Sequence, residues 1–226
     1  MIDIHTHILP GVDDGPSDIE ESLRIIEKEI KDGIGTIVLT PHIRDDSDWN
    51  KIDKIKETFS LFQKECVVRG LDVQLVLGAE LSLTPTLPER LKDNLSVIIN
   101  GKGRYVLVEL PFYQLPIYTE DVFFRIMMGR VIPIVAHPER CIYLNGKDEV
   151  LKKWVDNGIK IQVNTGSLNG QYGMKVKRFA KKLFKNGLVH FLGSDVHSIN
   201  NRFSSFTKAV EVASRTNSLN STFLLI

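Results

Sequence analysis

The sequence has little cysteine and no long apolar segment. The only cysteines among its 226 residues are Cys66 and Cys141, which form no C-x-x-C pair. We therefore expect reduced thiols and a cytoplasmic protein. The longest apolar runs, such as VIPIVA, are much shorter than the roughly 20 residues that cross a bilayer, so we expect no membrane insertion. The N-terminus also lacks a basic segment followed by an apolar stretch, which argues against a signal peptide.

An excess of charge of one sign is missing as well. Lysine and arginine total 29 against 28 acidic residues, which gives a formal net charge of +1. This balance, without a basic, aromatic-rich stripe, argues against nucleic acid as a partner but is compatible with a local basic pocket. No G-x-G-x-x-G follows the first apolar segment and no G-x-x-x-x-G-K-[ST] occurs. The two common phosphate-cradling loops of nucleotide-binding proteins are therefore absent.

What the sequence does contain is a repeated order of apolar strand and amphipathic helix. Ser17 and Glu20 predict a capping box for the first helix. The predicted strands are the segment around Ile2 and Ile4, then TIVLT, VQLVLG, RYVLVEL, VIPIVA, IKIQVN and LVHFLG. Continuous apolar strands that alternate with helices indicate a parallel sheet buried on both faces. Because the nucleotide-binding loops of open sheets are missing, we expect one α/β barrel domain over residues 1–226.

Histidines and carboxylates follow these predicted strands. In a parallel barrel the C-terminal strand ends converge on one face, where the chemistry takes place. Of the six histidines, only His190 lies inside a predicted strand, and we interpret it as structural. The nine candidate ligands at the strand ends are His5, His7, Asp14, His42, Glu80, Glu109, His137, Asp195 and His197.

A single histidine or glutamate at such a position is more often structural than functional. Together, however, buried imidazoles and carboxylates would repel one another or stay unsatisfied. Divalent cations resolve that conflict, and the number of donors suits two or three ions. Mixed nitrogen and oxygen donors indicate manganese, iron or zinc rather than calcium.

The motifs HTH, DDG, TPH, AHPER and SDVH, in this order, resemble the polymerase-and-histidinol-phosphatase (PHP) superfamily. GVDDGP and AHPER are most similar to its bacterial tyrosine-phosphatase branch, which is found with capsule and exopolysaccharide genes. The resemblance extends from His5 to Arg202. It implies a distorted (β/α)7 TIM-like barrel with a three-metal centre, often manganese-dependent, at the C-terminal ends of the strands. It also implies a phosphotyrosyl protein as substrate, the tail of a polysaccharide-assembly kinase.

The resemblance further implies specific roles for residues. The ligand sets are His5, His7, Glu80 and Asp195 for one ion, Glu80, Glu109 and His137 for a second, and Asp14, His42 and His197 for a third. Arg140 and Arg202 are the implied phosphate-binding arginines, and we count Asp195 with them as a catalytic residue.

The chemistry of phosphomonoester hydrolysis fits this donor set. A metal lowers the pKa of bound water from roughly 15.7 to about 7, so metal-bound hydroxide would attack phosphorus while the arginines hold the non-bridging oxygens. A cysteine phosphatase needs C-x5-R, but Asp72 and Lys147 occupy the arginine positions. Three alternatives stay open: a small-molecule phosphatase such as one for histidinol phosphate, a phosphoesterase for nucleic-acid ends, and a non-catalytic metal-stabilised scaffold that binds a kinase.

Overall fold

The computed structural model describes residues 1–100, 104–199 and 203–216. Strands and helices alternate along most of the chain. The strands are β1 (Ile2–Thr6), β2 (Thr36–Leu39), β3 (His42–Ile43), β4 (Gln74–Leu77), β5 (Glu80–Ser82), β6 (Tyr105–Glu109), β7 (Ile132–Ala136), β8 (Lys160–Asn164) and β9 (Phe191–Gly193). The helices are α1 (Ile19–Lys31), α2 (Ile52–Val68), α3 (Leu87–Asp93), α4 (Thr119–Met128), α5 (Asp148–Asp156), α6 (Thr165–Asn169), α7 (Gly173–Lys185) and α8 (Phe206–Thr216).

The strands pair in parallel within two sheets, in the orders β1-β2-β4 and β3-β5-β6-β7-β8-β9. The sheets meet where Thr6 forms a parallel bridge with Val196. There the amide of Asp195 donates to the carbonyl of His5 over 2.8 Å. The predicted parallel α/β architecture is confirmed. Across the described ranges, however, no continuous ladder closes the strands into one barrel, so the (β/α)7 barrel is not confirmed.

Two interruptions explain why there are two sheets. Residues 40–41 separate β2 from β3, and residues 78–79 separate β4 from β5. Pro41 has no N–H to donate to a ladder, which favours a break at this point. Both strands resume at the same level, because His42 pairs with Glu80 in the second sheet. The interruptions therefore place an imidazole and a carboxylate side by side.

The first helix begins with a different cap from the predicted one. Asp18 has extended backbone angles, and its carboxylate accepts a hydrogen bond from the amide of Glu21 over 2.9 Å. The prediction of a capping box from Ser17 and Glu20 is therefore wrong by one residue. An aspartate at this position satisfies an otherwise unpaired amide and also interacts favourably with the helix dipole.

The apolar core has two parts that correspond to the two faces of the strands. The larger part packs the helices against the outer face and includes Val106, Val108 and Trp154. The smaller part lies on the inner face and consists of strand residues, namely Ile4, Val38, Leu107, Ile134, Ala136 and Phe191. Burial on both faces is what the continuous apolar strands predicted. Among the described residues, no helix combines the length and the apolar character needed to cross a membrane.

Candidate metal centre

The structure brings all nine predicted ligands into one connected group. Neighbouring nitrogen and oxygen atoms of the group are 2.9–3.7 Å apart. The side chains of His5 and His7 point to the same place, with their Nε2 atoms 3.0 Å apart, as their spacing predicted. The positions are β1 for His5, the following loop for His7 and Asp14, the starts of β3 and β5 for His42 and Glu80, the end of β6 for Glu109, and the loops after β7 and β9 for His137, Asp195 and His197.

Glu80 lies at the middle of this group. Its Oε1 atom is 3.0 Å from Nε2 of His137 and 3.3 Å from Nε2 of His5. Its Oε2 atom is 2.9 Å from Nδ1 of His42 and 3.2 Å from Nε2 of His7. The carboxylate is buried, and within the described part of the chain neither Oε2 nor Nδ1 of His42 makes a hydrogen bond of good geometry. Atoms without such a partner are available to coordinate a metal cation.

Asp14 lies toward the solvent side of the group. Its Oδ1 atom is 3.4 Å from Nε2 of His42 and 3.3 Å from Nε2 of His197. Its other oxygen accepts a hydrogen bond from Arg44 over 2.9 Å. Sequence reasoning did not single out Arg44, and its position two residues after His42 in TPHIR was the available signal.

Asp195 connects the donor group to the guanidinium of Arg140. Its Oδ1 atom is 3.7 Å from Nε2 of His5 and 3.6 Å from Nε2 of His7. Its Oδ2 atom accepts hydrogen bonds from Arg140 over 2.6 Å and from Asn164 over 2.7 Å. The carboxylate therefore presents one oxygen to the histidines and holds the arginine with the other.

Two residues of the centre have left-handed backbone conformations. His137 has φ 30°, and Asp195 has φ 55°. His137 is also followed by a proline, which normally favours an extended conformation. Conformations of this kind cost energy and concentrate at functional sites, where the surrounding structure enforces them.

The ionisation of the carboxylates reflects their crowding. Burial opposes ionisation, but the neighbouring imidazoles, His5 first, hold the pKa of Glu80 well below its usual range. Against the same burial, His5 and His137 lower the pKa of Asp195 to about 2. Burial and the charge of Glu80 raise the pKa of Glu109. A divalent cation bound among closely spaced, buried carboxylates would stabilise their ionised form.

Three subsets of this group have ligand atoms within 4.8 Å of one another. They are His7, Asp14, His42 and His197; His5, His7 and Glu80; and His42, Glu80 and Glu109. These subsets overlap the sets that the family resemblance implies, but His7 and His42 each join one more group than expected. The predicted ligands His137 and Asp195 belong to none of the three subsets. The chemistry of the donors fits divalent ions that accept both nitrogen and oxygen.

Asp13 orients two of the histidines and was missed in favour of its neighbour Asp14. Its Oδ2 atom is 2.8 Å from Nδ1 of His7 and accepts a hydrogen bond from the amide of His42 over 3.1 Å. An acceptor on Nδ1 leaves Nε2 of His7 available as a ligand. The loop folds tightly here, because a Cβ on Gly15 would lie 1.7 Å from the carbonyl oxygen of His7.

Strand β8 contributes a second group of orienting residues that the sequence analysis omitted. Oε1 of Gln162 is 3.0 Å from Nδ1 of His5 and accepts from the amide of His137 over 3.3 Å. Its Nε2 atom donates to Asn164 over 2.8 Å. Both side chains are fully buried. The available signal was two polar residues, two apart, in the otherwise apolar segment IKIQVN.

Arg140 lies beside the donor group, three residues after His137 as the sequence indicated. It forms an ion pair with Asp195, and its guanidinium carbon lies 4.9 Å from the ring centre of Phe112 and 4.5 Å from that of Tyr172. The other predicted phosphate-binding residue, Arg202, falls outside the described residues.

The two cysteines and His190 lie in environments that fit a structural role. Cys66 and Cys141 are buried free thiols, and burial raises their pKa to about 11 and about 12, values at which a thiol is a poor nucleophile. His190 precedes β9 rather than lying inside it. Its Nδ1 atom accepts a hydrogen bond from the amide of Ile161 over 3.3 Å, and burial lowers its pKa to about 4.

Comparison with known proteins identifies the family. Residues 1–222 match the family described as "Capsular polysaccharide synthesis, CpsB/CapC". The chain belongs to the CpsB/CapC family. CpsB of Streptococcus agalactiae, a tyrosine-protein phosphatase, is 32% identical over 220 residues, which cover 95% of this chain and 90% of that protein.

Solved structures agree with membership of the CpsB/CapC family. One match comes from the crystal structures of YwqE from Bacillus subtilis and CpsB from Streptococcus pneumoniae, described as unique metal-dependent tyrosine phosphatases. It has a TM-score of 0.87 at 29% identity and covers 95% of this chain and 87% of the other. Histidinol phosphate phosphatase from Lactococcus lactis, with zinc, L-histidinol and phosphate, has a TM-score of 0.59 at 13% identity, covering 95% and 93% of the chains. At 13% identity, this match shows a shared PHP-type fold and nothing about function.

Proposed function

We propose that this protein is a metal-dependent phosphomonoester hydrolase that dephosphorylates phosphotyrosine on proteins. The observation that carries this proposal is the convergence of five histidines and four carboxylates on one site, with Arg140 held at its edge. Relatives of the CpsB/CapC family at 28–33% identity are named tyrosine-protein phosphatases, and the site contains the residue types that such a reaction requires.

The ions would be held in the three sets that the resemblance implies, with Glu80 common to two of them. We favour manganese, in two or three ions, because the family resemblance implies it. The mixed imidazole and carboxylate donors fit manganese, iron or zinc. When bound, such ions supply Lewis acidity and lower the pKa of water enough for hydrolysis at neutral pH. Asp13 and Gln162 would keep His7 and His5 in the tautomers that present Nε2 to a metal.

Arg140 would bind and orient the phosphoryl group. One of its N–H groups is engaged by Asp195, and a guanidinium has further donors arranged in a planar fork that matches phosphate oxygens. Asp195 thereby fixes the direction of the arginine and couples its position to the donor group. Arg202 would supply a second cation on the basis of the sequence.

The substrate protein we favour is the tyrosine-rich tail of a kinase that controls polysaccharide assembly, in the cytoplasm. Support comes from the description of the CpsB/CapC family as acting in capsular polysaccharide synthesis and from the tyrosine-phosphatase names of its members.

The test is hydrolysis by the purified protein of three substrates at equal concentration: a phosphotyrosine peptide, a phosphoserine peptide and histidinol phosphate. Chelation should abolish the activity and manganese should restore it. Phosphotyrosine should be preferred. Full activity in a metal-free preparation would refute the metal-dependent mechanism, and a strong preference for histidinol phosphate would favour the small-molecule alternative. A protein that binds ions but hydrolyses none of the three substrates would favour the non-catalytic scaffold.

A further inference from the structure

The guanidinium of Arg140 lies between two aromatic rings. Its central carbon is 4.9 Å from the ring centre of Phe112 and 4.5 Å from that of Tyr172, distances at which the cation is attracted to both ring faces. Phe112 also stacks on His137, with ring centres 5.7 Å apart and planes at 15°. The aromatic wall therefore borders both the arginine and a member of the donor group.

These rings line an open cavity of about 280 Å³, together with Tyr113, Ile142 and Val176. Tyr113 is 82% exposed and Ile142 is 66% exposed, so the rim of the cavity is apolar as well. A cavity of roughly 150 Å³ holds benzene in another protein, so this one has room for a single phenyl ring. Among the described residues that line it, only Arg140 is charged.

We propose that this cavity, walled by Phe112 and Tyr172, receives the phenyl ring of the substrate and makes the site selective for aryl over alkyl phosphate esters. The inference rests on the proposed phosphatase function and names the residues that determine substrate class. An aryl ester would place its ring in the open cavity, beside Phe112, Tyr172 and the apolar rim, while Arg140 holds its phosphoryl group. A seryl phosphate has no ring to fill the space and gains neither the apolar burial nor the ring–ring contact.

The rings could contact the substrate or could only position Arg140. Binding of two phosphonates to the manganese-loaded protein, measured by calorimetry, distinguishes these roles. Phenylphosphonate and methylphosphonate share the anionic group and differ in the ring. The wild-type protein should bind phenylphosphonate more tightly. Phe112→Leu and Tyr172→Leu should each lower the ratio of the two affinities by about 3- to 10-fold, and Phe112→Tyr should keep it.

Phe124→Leu is the matched control, because Phe124 is a partly exposed ring on α4 that lines a different groove. It should leave the ratio unchanged. Equal binding of both phosphonates by the wild type would overturn the aromatic pocket while leaving the phosphatase function intact. A Leu variant that weakens both phosphonates equally would also overturn it, since the rings would then serve only to position Arg140. If neither phosphonate binds, the phosphatase proposal fails and this inference fails with it.

Discussion

Glu80 is the residue through which most of the donor group is connected. Four histidines lie within 3.3 Å of its two oxygens, and the side chain is only 1% exposed. A buried carboxylate in this position is stabilised by positive charge on both sides, from imidazolium groups or from metal ions. We therefore predict that Glu80 bridges two ions.

We expect Glu80→Gln to lose more than one equivalent of bound manganese, because the amide removes a charge shared by two predicted ligand sets. Glu109→Gln is the matched control, since Glu109 belongs to one set and should cost one equivalent at most. Metal content of the dialysed variants, measured by plasma mass spectrometry, checks this prediction. Equal losses from both variants would contradict a bridging role for Glu80.

Arg140 should contribute to transition-state binding rather than to metal binding. We expect Arg140→Ala to lower kcat/KM by about 30- to 1000-fold, equivalent to about 2–4 kcal/mol. Arg140→Lys should recover only part of the loss, because it keeps the charge but not the planar fork. Metal content should stay unchanged, and Arg125→Ala, which removes a surface arginine paired with Glu89, should leave kcat/KM as it is.

Arg202 is expected to show the same behaviour on the basis of its sequence position alone. Arg202→Ala should lower kcat/KM over the same range, about 30- to 1000-fold, with the metals retained. Steady-state kinetics together with metal analysis check this expectation. Near-normal turnover of a fully metallated variant would mean that Arg202 is a solvated surface residue.

At the scale of elements, β8 connects the donor group to the rest of the sheet. Its inner side presents Gln162 and Asn164, while Ile161 and Val163 pack in the larger core. The hydrogen bonds run from His5 through Gln162 and Asn164 to Asp195. One strand therefore orients ligands that come from opposite ends of the sequence.

We expect Gln162→Met to weaken manganese affinity by about 10- to 100-fold, because the substitution conserves shape but removes the acceptor for His5. It should also lower the free energy of unfolding by about 1–3 kcal/mol, since polar groups of His5 and His137 lose a buried partner. Ile161→Met, on the other face of the same strand, should cost less than about 1.5 kcal/mol and leave the affinity unchanged. Calorimetric titration and urea unfolding check both. An unaltered affinity in Gln162→Met would rule out an orienting role.

At the scale of the whole molecule, the donor group ties together segments from residue 5 to residue 197. An ion that binds only the folded protein stabilises all of it, by about 2.7 kcal/mol per site at a hundredfold excess over Kd. For a chain of this size we therefore expect manganese to raise the Tm of the metal-free protein by roughly 5–10 °C for each site it fills. Calcium should have a smaller effect, since it prefers oxygen ligands alone. A scanning-calorimetry profile insensitive to manganese would contradict the predicted centre.

The positions of most strands along the chain and the donor types could be read from the sequence because both depend on local patterns. Apolar runs such as RYVLVEL fix strands that are buried on both faces, and the histidines that follow them are visible as letters. The cap of α1 was misplaced by one residue because Ser17 and Asp18 are both good caps, and only the backbone path selects between them.

The sequence by itself determined that this is a parallel α/β protein with imidazoles and carboxylates at the strand ends. Only the tertiary structure decided how those residues meet, because contacts between Glu80 and four distant histidines depend on the register of separate strands. The same holds for Asp13 and Gln162, whose roles follow from which ring nitrogen they face. It holds too for the interruption of the sheets near Pro41, and for the ring of Tyr172 that comes from α6–α7 to cover Arg140. Local patterns name the donors, whereas packing over long sequence separations arranges them.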